Sequence, residues 1–265
     1  MRWPSRGRRR YRRPMILSHD TTGSGPAVLL LHAGVADSRM WEPQVAALAR
    51  THRVIRCDLR GYGATPLTDE PYDDAGDVRA LLDTLGESRV AIVGASFGGN
   101  VALQVASAWP DSVSHLVLVN AAFELPATRS LQRFVRREDA LLEAGDVEGA
   151  TELNVATWVG PEADDEARAL VRTMQRHAFE VQLGAGDDVR QNPGPEIDLD
   201  AVTARTLIVS GGQDLDHFRA VAGHLAGHLP GAKHVQLGWA GHLPSLERPD
   251  EVTELVTDFL AEQAA

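Results

Sequence analysis

The sequence predicts an α/β fold built on a mostly parallel β-sheet with helices on both faces. Three observations carry that expectation. Short apolar runs alternate with helix-period segments, the order of strand–crossover–strand units. Most runs lack strict in–out alternation, as strands buried on both faces do. The rhythm then breaks once, over residues 123–197, where the spacing is helical and no strand signal appears.

Residues 1–14 come before the first run. They hold seven arginines (Arg2, Arg6, Arg8, Arg9, Arg10, Arg12 and Arg13) and no acid. They read as a disordered basic extension or as sequence upstream of a start at Met15. The stretch from Ser18 to Gly25 is polar where a signal peptide needs an apolar core. Strands are expected at Ala27–His32, Arg53–Cys57, Arg89–Gly94, His115–Asn120, Arg205–Ser210 and Lys233–Leu237. Helices are expected at Met40–Ala49, Asp77–Leu85, Gly98–Ala108, Asp216–Leu229 and Pro249–Ala261. These elements divide the chain into a core of residues 15–122 and 198–265 and a helical insert of residues 123–197 over the strand ends. One insert helix carries Leu131, Phe134, Val135, Leu141 and Leu142 at the spacing of one face. Another starts at Pro161 with Glu162, Asp164 and Asp165 in its first turns, where proline and acids are favoured, and buries Leu170, Val171, Met174 and Val181. Gln191–Pro195 reads as the linker back to the sheet.

Composition narrows the function. The 265 residues are 43% hydrophobic and 24% charged, an ordinary globular balance, while aromatics at 5% leave the core to aliphatic residues. The formal net charge is −11 even with the arginine-rich start included, so the main body repels a phosphate backbone and nucleic acid is not an expected partner. Cys57 is the only cysteine, so no intrachain disulfide forms; a reducing, cytoplasmic compartment fits. No apolar run reaches the roughly 18 residues of a membrane span. No phosphate loop or metal-spaced cluster stands out, so no metal and no cofactor are expected. Oligomeric state is not legible.

The most informative segment runs from Ala91 to Leu103. It reads as strand, then Gly94-Ala95-Ser96-Phe97-Gly98, then helix. A sharp strand-to-helix turn has no room for side chains two residues either side of its apex, and glycine occupies both places. Ser96 is pushed out at the apex, and the helix N-terminus below it favours developing negative charge. A serine hydroxyl needs a base. Of ten histidines, His242 lies in the loop after the last expected strand, at the sheet end where parallel sheets place their sites. His224 and His228 belong to a helix face, and His32 reads as a residue that holds the following loop. A carboxylate behind the imidazole fixes its tautomer and steadies the cation. Asp214 stands just past the fifth run, with Asp216 as the alternative. The oxyanion is expected to meet the backbone N–H of Phe97 and of Gly34, with Val35 as second choice for the latter. Asp58 and Arg60 read as loop ties and Cys57 as a buried small hydrophobe.

With these residues assembled, the chain resembles the α/β-hydrolase superfamily. The likeness is carried by Leu30-Leu-His-Ala-Gly34, Asp58-Leu-Arg-Gly-Tyr-Gly63, Gly94-Ala-Ser-Phe-Gly-Gly99 and Gly241-His-Leu-Pro-Ser-Leu-Glu-Arg-Pro249, together with Gly212-Gln-Asp214. It spans about residues 16–262. The resemblance implies an eight-stranded, mostly parallel sheet with a helical cap inserted after strand 6. The insert is similar to the caps of small bacterial hydrolases of the 3-oxoadipate enol-lactonase and cofactor-free haloperoxidase type, through Gly145–Asn154 and Trp158. Two departures stand out. His32 is followed by Ala33 where the family has glycine, and only Met15–Asp20 is left for the first strands.

The implied reaction is hydrolysis of a small-molecule carboxylic ester or lactone through an acyl-enzyme on Ser96, His242 and Asp214. The alternatives on the same triad are a C–C bond hydrolase of vinylogous diketones and perhydrolase or haloperoxidase behaviour. A non-catalytic ligand receptor on the same fold is the alternative outside enzymes. Val35, Phe134, Trp158, Met174 and Leu243 are the candidate pocket residues. Arg133, Arg136 and Arg137 read as a solvated face.

Overall fold

The structure is a computed structural model that describes residues 15–185 and 189–262. The basic extension 1–14 lies outside the described residues.

The sheet is built from β1 (His19–Gly23), β2 (Ala27–Leu31), β3 (Arg53–Cys57), β4 (Val90–Ala95), β5 (Val113–Val119), β6 (Arg205–Gly211) and β7 (Lys233–Leu237). Their order across the sheet is β1-β3-β2-β4-β5-β6-β7. All neighbours are parallel except β1, which runs antiparallel to β3 with His19 opposite Cys57. Among the described residues the sheet therefore has seven strands, not eight. The short N-terminal segment forms one edge strand only, and it starts at His19 rather than Met15. Ser18 continues the edge by accepting the Asp58 N–H at 2.9 Å. The helical insert accordingly follows β5, the fifth strand of this chain.

Alternate residues of each strand go to opposite faces. Leu29, Leu31, Ile92, Leu116 and Leu118 meet α2 (Asp74–Leu85), α3 (Phe97–Ala108) and α7 (Asp216–His228). Val28, Leu30, Val93, Val117 and Val119 meet α1 (Glu42–Leu48) and α9 (Pro249–Ala261). This two-sided burial explains why the runs read as continuously apolar. Helix starts follow their caps: Asp73 accepts the Gly76 N–H at 2.7 Å, which begins α2 three residues before the expected Asp77.

The insert holds α4 (Arg129–Glu143), α5 (Val147–Trp158) and α6 (Asp165–Gly184). α6 does not start at Pro161. Asp164 caps it by accepting the Ala167 N–H at 2.8 Å, so the helix opens at Asp165. α5 was not expected as a separate helix. It packs between α4 and α6, so its apolar residues are not confined to one stripe; Asp146 caps it through the Gly149 N–H. The return to β6 is fastened to the core by a bridge between Tyr72 and Gln191 and by the Asp198 N–H on Ser107 Oγ at 2.8 Å.

Candidate active site

The turn between β4 and α3 has the geometry its glycines imply. Ser96 has φ 48 and ψ −113, a conformation costly for a residue with a Cβ. A Cβ on Gly94 would stand 2.4 Å from the Gly98 carbonyl oxygen, and one on Gly98 2.5 Å from the oxygens of Leu31 and His32. No other residue fits either position without moving backbone. The turn is held by the Ser96 N–H on Val119 O at 2.9 Å and the Gly98 N–H on His32 O at 3.1 Å. Ser96 is thus fixed at the carboxyl end of the sheet, against both neighbouring strands.

The acid and the imidazole meet at the same end. His242 Nδ1 lies 2.6 Å from Asp214 Oδ2, and both side chains are buried. Asp214 also accepts the Leu215 N–H at 2.7 Å. An Nδ1–H donated to this carboxylate leaves Nε2 as the acceptor nitrogen, the form a general base needs. Asp216 goes elsewhere: it is exposed and accepts from Thr128 Oγ1 at 2.8 Å and from Ser130 Oγ, tying α4 to α7. Of the two acids, the structure puts Asp214 on His242.

Two residues that sequence reasoning passed over hold this pair. Asn120, just past β5, donates to the carbonyls of Gly241 and His242, each at 3.0 Å, and accepts the Gly211 N–H at 2.8 Å. It joins the β5 end to the loops bearing both His242 and Asp214. Its φ of 43 suits asparagine better than most residues. Glu247 places both carboxylate oxygens 3.0 Å from the Gly241 N–H. Burial pushes its carboxyl up, and the amides of Gly241, Leu243 and Gly160 pull it back in part. A Cβ at Gly160 would lie 1.9 Å from Glu247 Oε2, so only glycine lets the α5–α6 turn approach. An asparagine ending an apolar run was the one available signal for Asn120; Glu247 had none beyond its place in the His242 motif.

The expected oxyanion donors sit together. A Cβ on Gly34 would be 3.5 Å from Phe97 Cβ and 3.6 Å from Tyr62 Oη. His32 beneath them is a loop tie: Nε2 accepts the Leu59 N–H at 3.0 Å, Nδ1 faces Ala33 O at 2.9 Å, and burial lowers its pKa. Asp58 likewise accepts the amides of Ser38 and Ala64. Cys57 is fully buried, and burial raises its thiol far above the usual range.

The candidate pocket residues divide. The Trp158 ring lies 4.7 Å from the His242 ring and 4.7 Å from that of Phe134, and its Nε1–H donates to Asn154 Oδ1 at 2.9 Å. Phe218, unforeseen, lies 4.3 Å from His242. Val35 is half-buried. Met174 and Leu243 sit in closed packing; the Met174 sulfur accepts the Asp37 N–H at 3.4 Å. Phe134 also borders an open cavity of about 570 Å³ with Leu153, Thr157 and Leu215, and beside Phe97 lie two cavities of about 280 and 320 Å³ that share Asp74, Phe97 and Gln191.

Three comparisons bear on the class. The profile of the Alpha/beta hydrolase family matches residues 28–255. A protein of Pseudomonas savastanoi pv. phaseolicola, provisionally named carbamate hydrolase RutD, is 31% identical over 250 residues, covering 89% of this chain and 94% of its own. The pimeloyl-[acyl-carrier protein] methyl ester esterase of Nitrosomonas europaea is 28% identical over 251 residues, 88% of this chain and 94% of that one. The crystal structure of the enol-lactonase of Burkholderia xenovorans LB400 superposes with a TM-score of 0.76 at 27% identity, over 93% of this chain and 96% of that one. The chain belongs to the alpha/beta hydrolase family and is an enzyme of the hydrolase class. Among the described residues no helix is long and apolar enough to cross a membrane.

Proposed function

We propose that this chain is a serine hydrolase that cleaves a carboxylic ester or lactone of a small molecule through an acyl-enzyme. The coarser reading, a hydrolase of ester-type bonds, is supported by the names of the relatives above. The finer one rests chiefly on the buried 2.6 Å contact between His242 and Asp214 at the sheet end that carries Ser96. Ser96 Oγ attacks the carbonyl while His242 takes its proton. Asp214 holds the imidazole in the required tautomer. The N–H groups of Phe97 and Gly34 receive the oxyanion, His242 protonates the leaving group, and water then releases the acid by the same route.

The test is hydrolysis of p-nitrophenyl butyrate by wild type and Ser96→Ala. Wild-type turnover is expected to fall on the order of 10⁴-fold or more in the variant. Equal turnover by both would overturn the assignment of Ser96. Folded wild-type protein without turnover on a panel of esters and lactones would overturn the hydrolytic reading and favour the receptor.

A further inference from the structure

The cleft beside Phe97 has a chemistry of its own. Its two cavities meet at Asp74, the first residue of α2, and at Gln191, on the strand-like return from the insert. Phe97 follows Ser96 directly, so whatever fills this space abuts the turn that carries the nucleophile. Asp74 is only 6% exposed. Its Oδ2 accepts from Gln191 Nε2 at 2.7 Å.

Four of the amide side chains of the lining spend an N–H on protein oxygens, among them Gln182 Nε2 on Gly61 O at 3.3 Å, while Asn192 lines the outer cavity. Gln191 gives its N–H to Asp74. Gln104 Nε2 donates to Pro193 O at 2.9 Å, and Asn100 Nδ2 to Ala122 O at 3.4 Å. Arg60 is the one cation among the lining residues of these cavities, and it is fully engaged. Its Nε and Nη2 hold Asp77, its Nη1 donates to Thr68 at 3.2 Å, and its plane lies 4.5 Å from the centre of the Tyr72 ring. A carboxylate entering here would face a buried acid and carbonyl oxygens with no free positive charge. A protonated amine would find the Asp74 carboxylate, amide oxygens and the side chain of Tyr62.

We infer that the cleft beside Phe97 binds an ammonium-bearing portion of the substrate, with Asp74 as the specificity-determining residue and Gln191 as its support. The inference builds on the reading of Ser96 as the nucleophile. It narrows the substrate to an ester-type compound carrying a protonated amine within reach of the scissile carbonyl.

The experiment compares two butyrate esters of nearly equal shape, 3-(dimethylamino)propyl butyrate and 4-methylpentyl butyrate, by release of acid. 3-Carboxypropyl butyrate serves as the anionic member. Wild type is expected to favour the ammonium ester over its neutral isostere at least tenfold in kcat/KM, and to disfavour the anionic one. Asp74→Asn is expected to collapse the ratio to near one, and Gln191→Leu to reduce it. An equal rate on the isosteric pair, or a ratio kept in folded Asp74→Asn, would overturn the inference. Binding of 3-(dimethylamino)propan-1-ol, measured by calorimetry on wild type, Ser96→Ala and Asp74→Asn, separates this failure from that of the nucleophile. Binding that survives Ser96→Ala and is lost in Asp74→Asn supports the ammonium site even where no ester turns over. No binding to folded wild type would overturn it.

Discussion

Asn120 and α4 flank the same site and are held in opposite ways. Asn120 is 1% exposed and makes three hydrogen bonds that join the ends of β5 and β6 to the His242 loop. α4 buries none of its residues, and Val135 on it is 42% exposed. Its fastenings are few: the Phe134 ring on Trp158, Glu138 on Asn154 Nδ2, and the Thr128 and Ser130 hydroxyls just at its start on Asp216. The sheet end is therefore over-determined and α4 is lightly held. That division suits a hydrolase, which needs rigid placement of the reacting groups and a cover that can vary with substrate.

The difference is broken most severely at Asn120. Asn120→Ala removes three hydrogen bonds, leaves the Gly211 amide and two carbonyls unmet in a dry interior, and puts alanine at positive φ. At roughly 1 kcal/mol for each bond, the expected loss is about 3–4 kcal/mol in urea unfolding. Asn120→Gly keeps the φ and loses the bonds, so the gap between the two variants isolates the backbone contribution, about 1 kcal/mol. Ester turnover should fall in both, because His242 loses its anchor. A loss below 1 kcal/mol in both variants would mean that the loops hold themselves.

This contrast also explains what the sequence made legible. The buried strands announced themselves, since burial on two faces demands apolar runs; the limits of β3 and β7 were read to the residue. The turn at Ser96 was legible because its two glycines have few substitutes, while Asp214 and His242, 28 residues apart, were chosen by their places just past expected strands, with Asp216 left open as the acid. α5 was not, because a helix packed on two sides lacks a single stripe. Asp74, Gln191 and Tyr62 were not either. They are distant in sequence and meet only once the return linker lies against Tyr72. The eighth strand was expected from family likeness alone, and the segment before β2 supplies one strand instead.

Asp74 links the two regions, since its partner Gln191 belongs to the return from the insert. Burial pushes its pKa up from 3.8 to about 6; the Gln191 contact opposes the rise, while Asp77 and Asp73 add to it. A carboxyl raised in the folded state binds its proton more tightly there than in the unfolded chain. Its stabilising contribution is thus full below about pH 3.8 and is lost as pH rises through about 6. Asp74→Asn removes that dependence. Its stability relative to wild type is expected to improve by about 1 kcal/mol between pH 5 and pH 8, most of the change falling below pH 7. A difference that stays flat over this range would show that Asp74 is ionised without cost and that the return linker does not bury it.

The smallest effect is expected on α4. Val135→Lys replaces a half-open apolar side chain on a helix with no buried residue, and the exposed helix position tolerates lysine well. Unfolding free energy should change by no more than about 0.5 kcal/mol, a shift of the melting midpoint on the order of 1–2 °C for a chain of this size. The change also adds positive charge beside Arg136 and Arg133, so any penalty that does appear should shrink with added salt. A loss of 2 kcal/mol or more that is independent of salt would mean that Val135 is covered by something in solution. The sharp contrast between Asn120 and α4 would then belong to the isolated chain and not to the working enzyme.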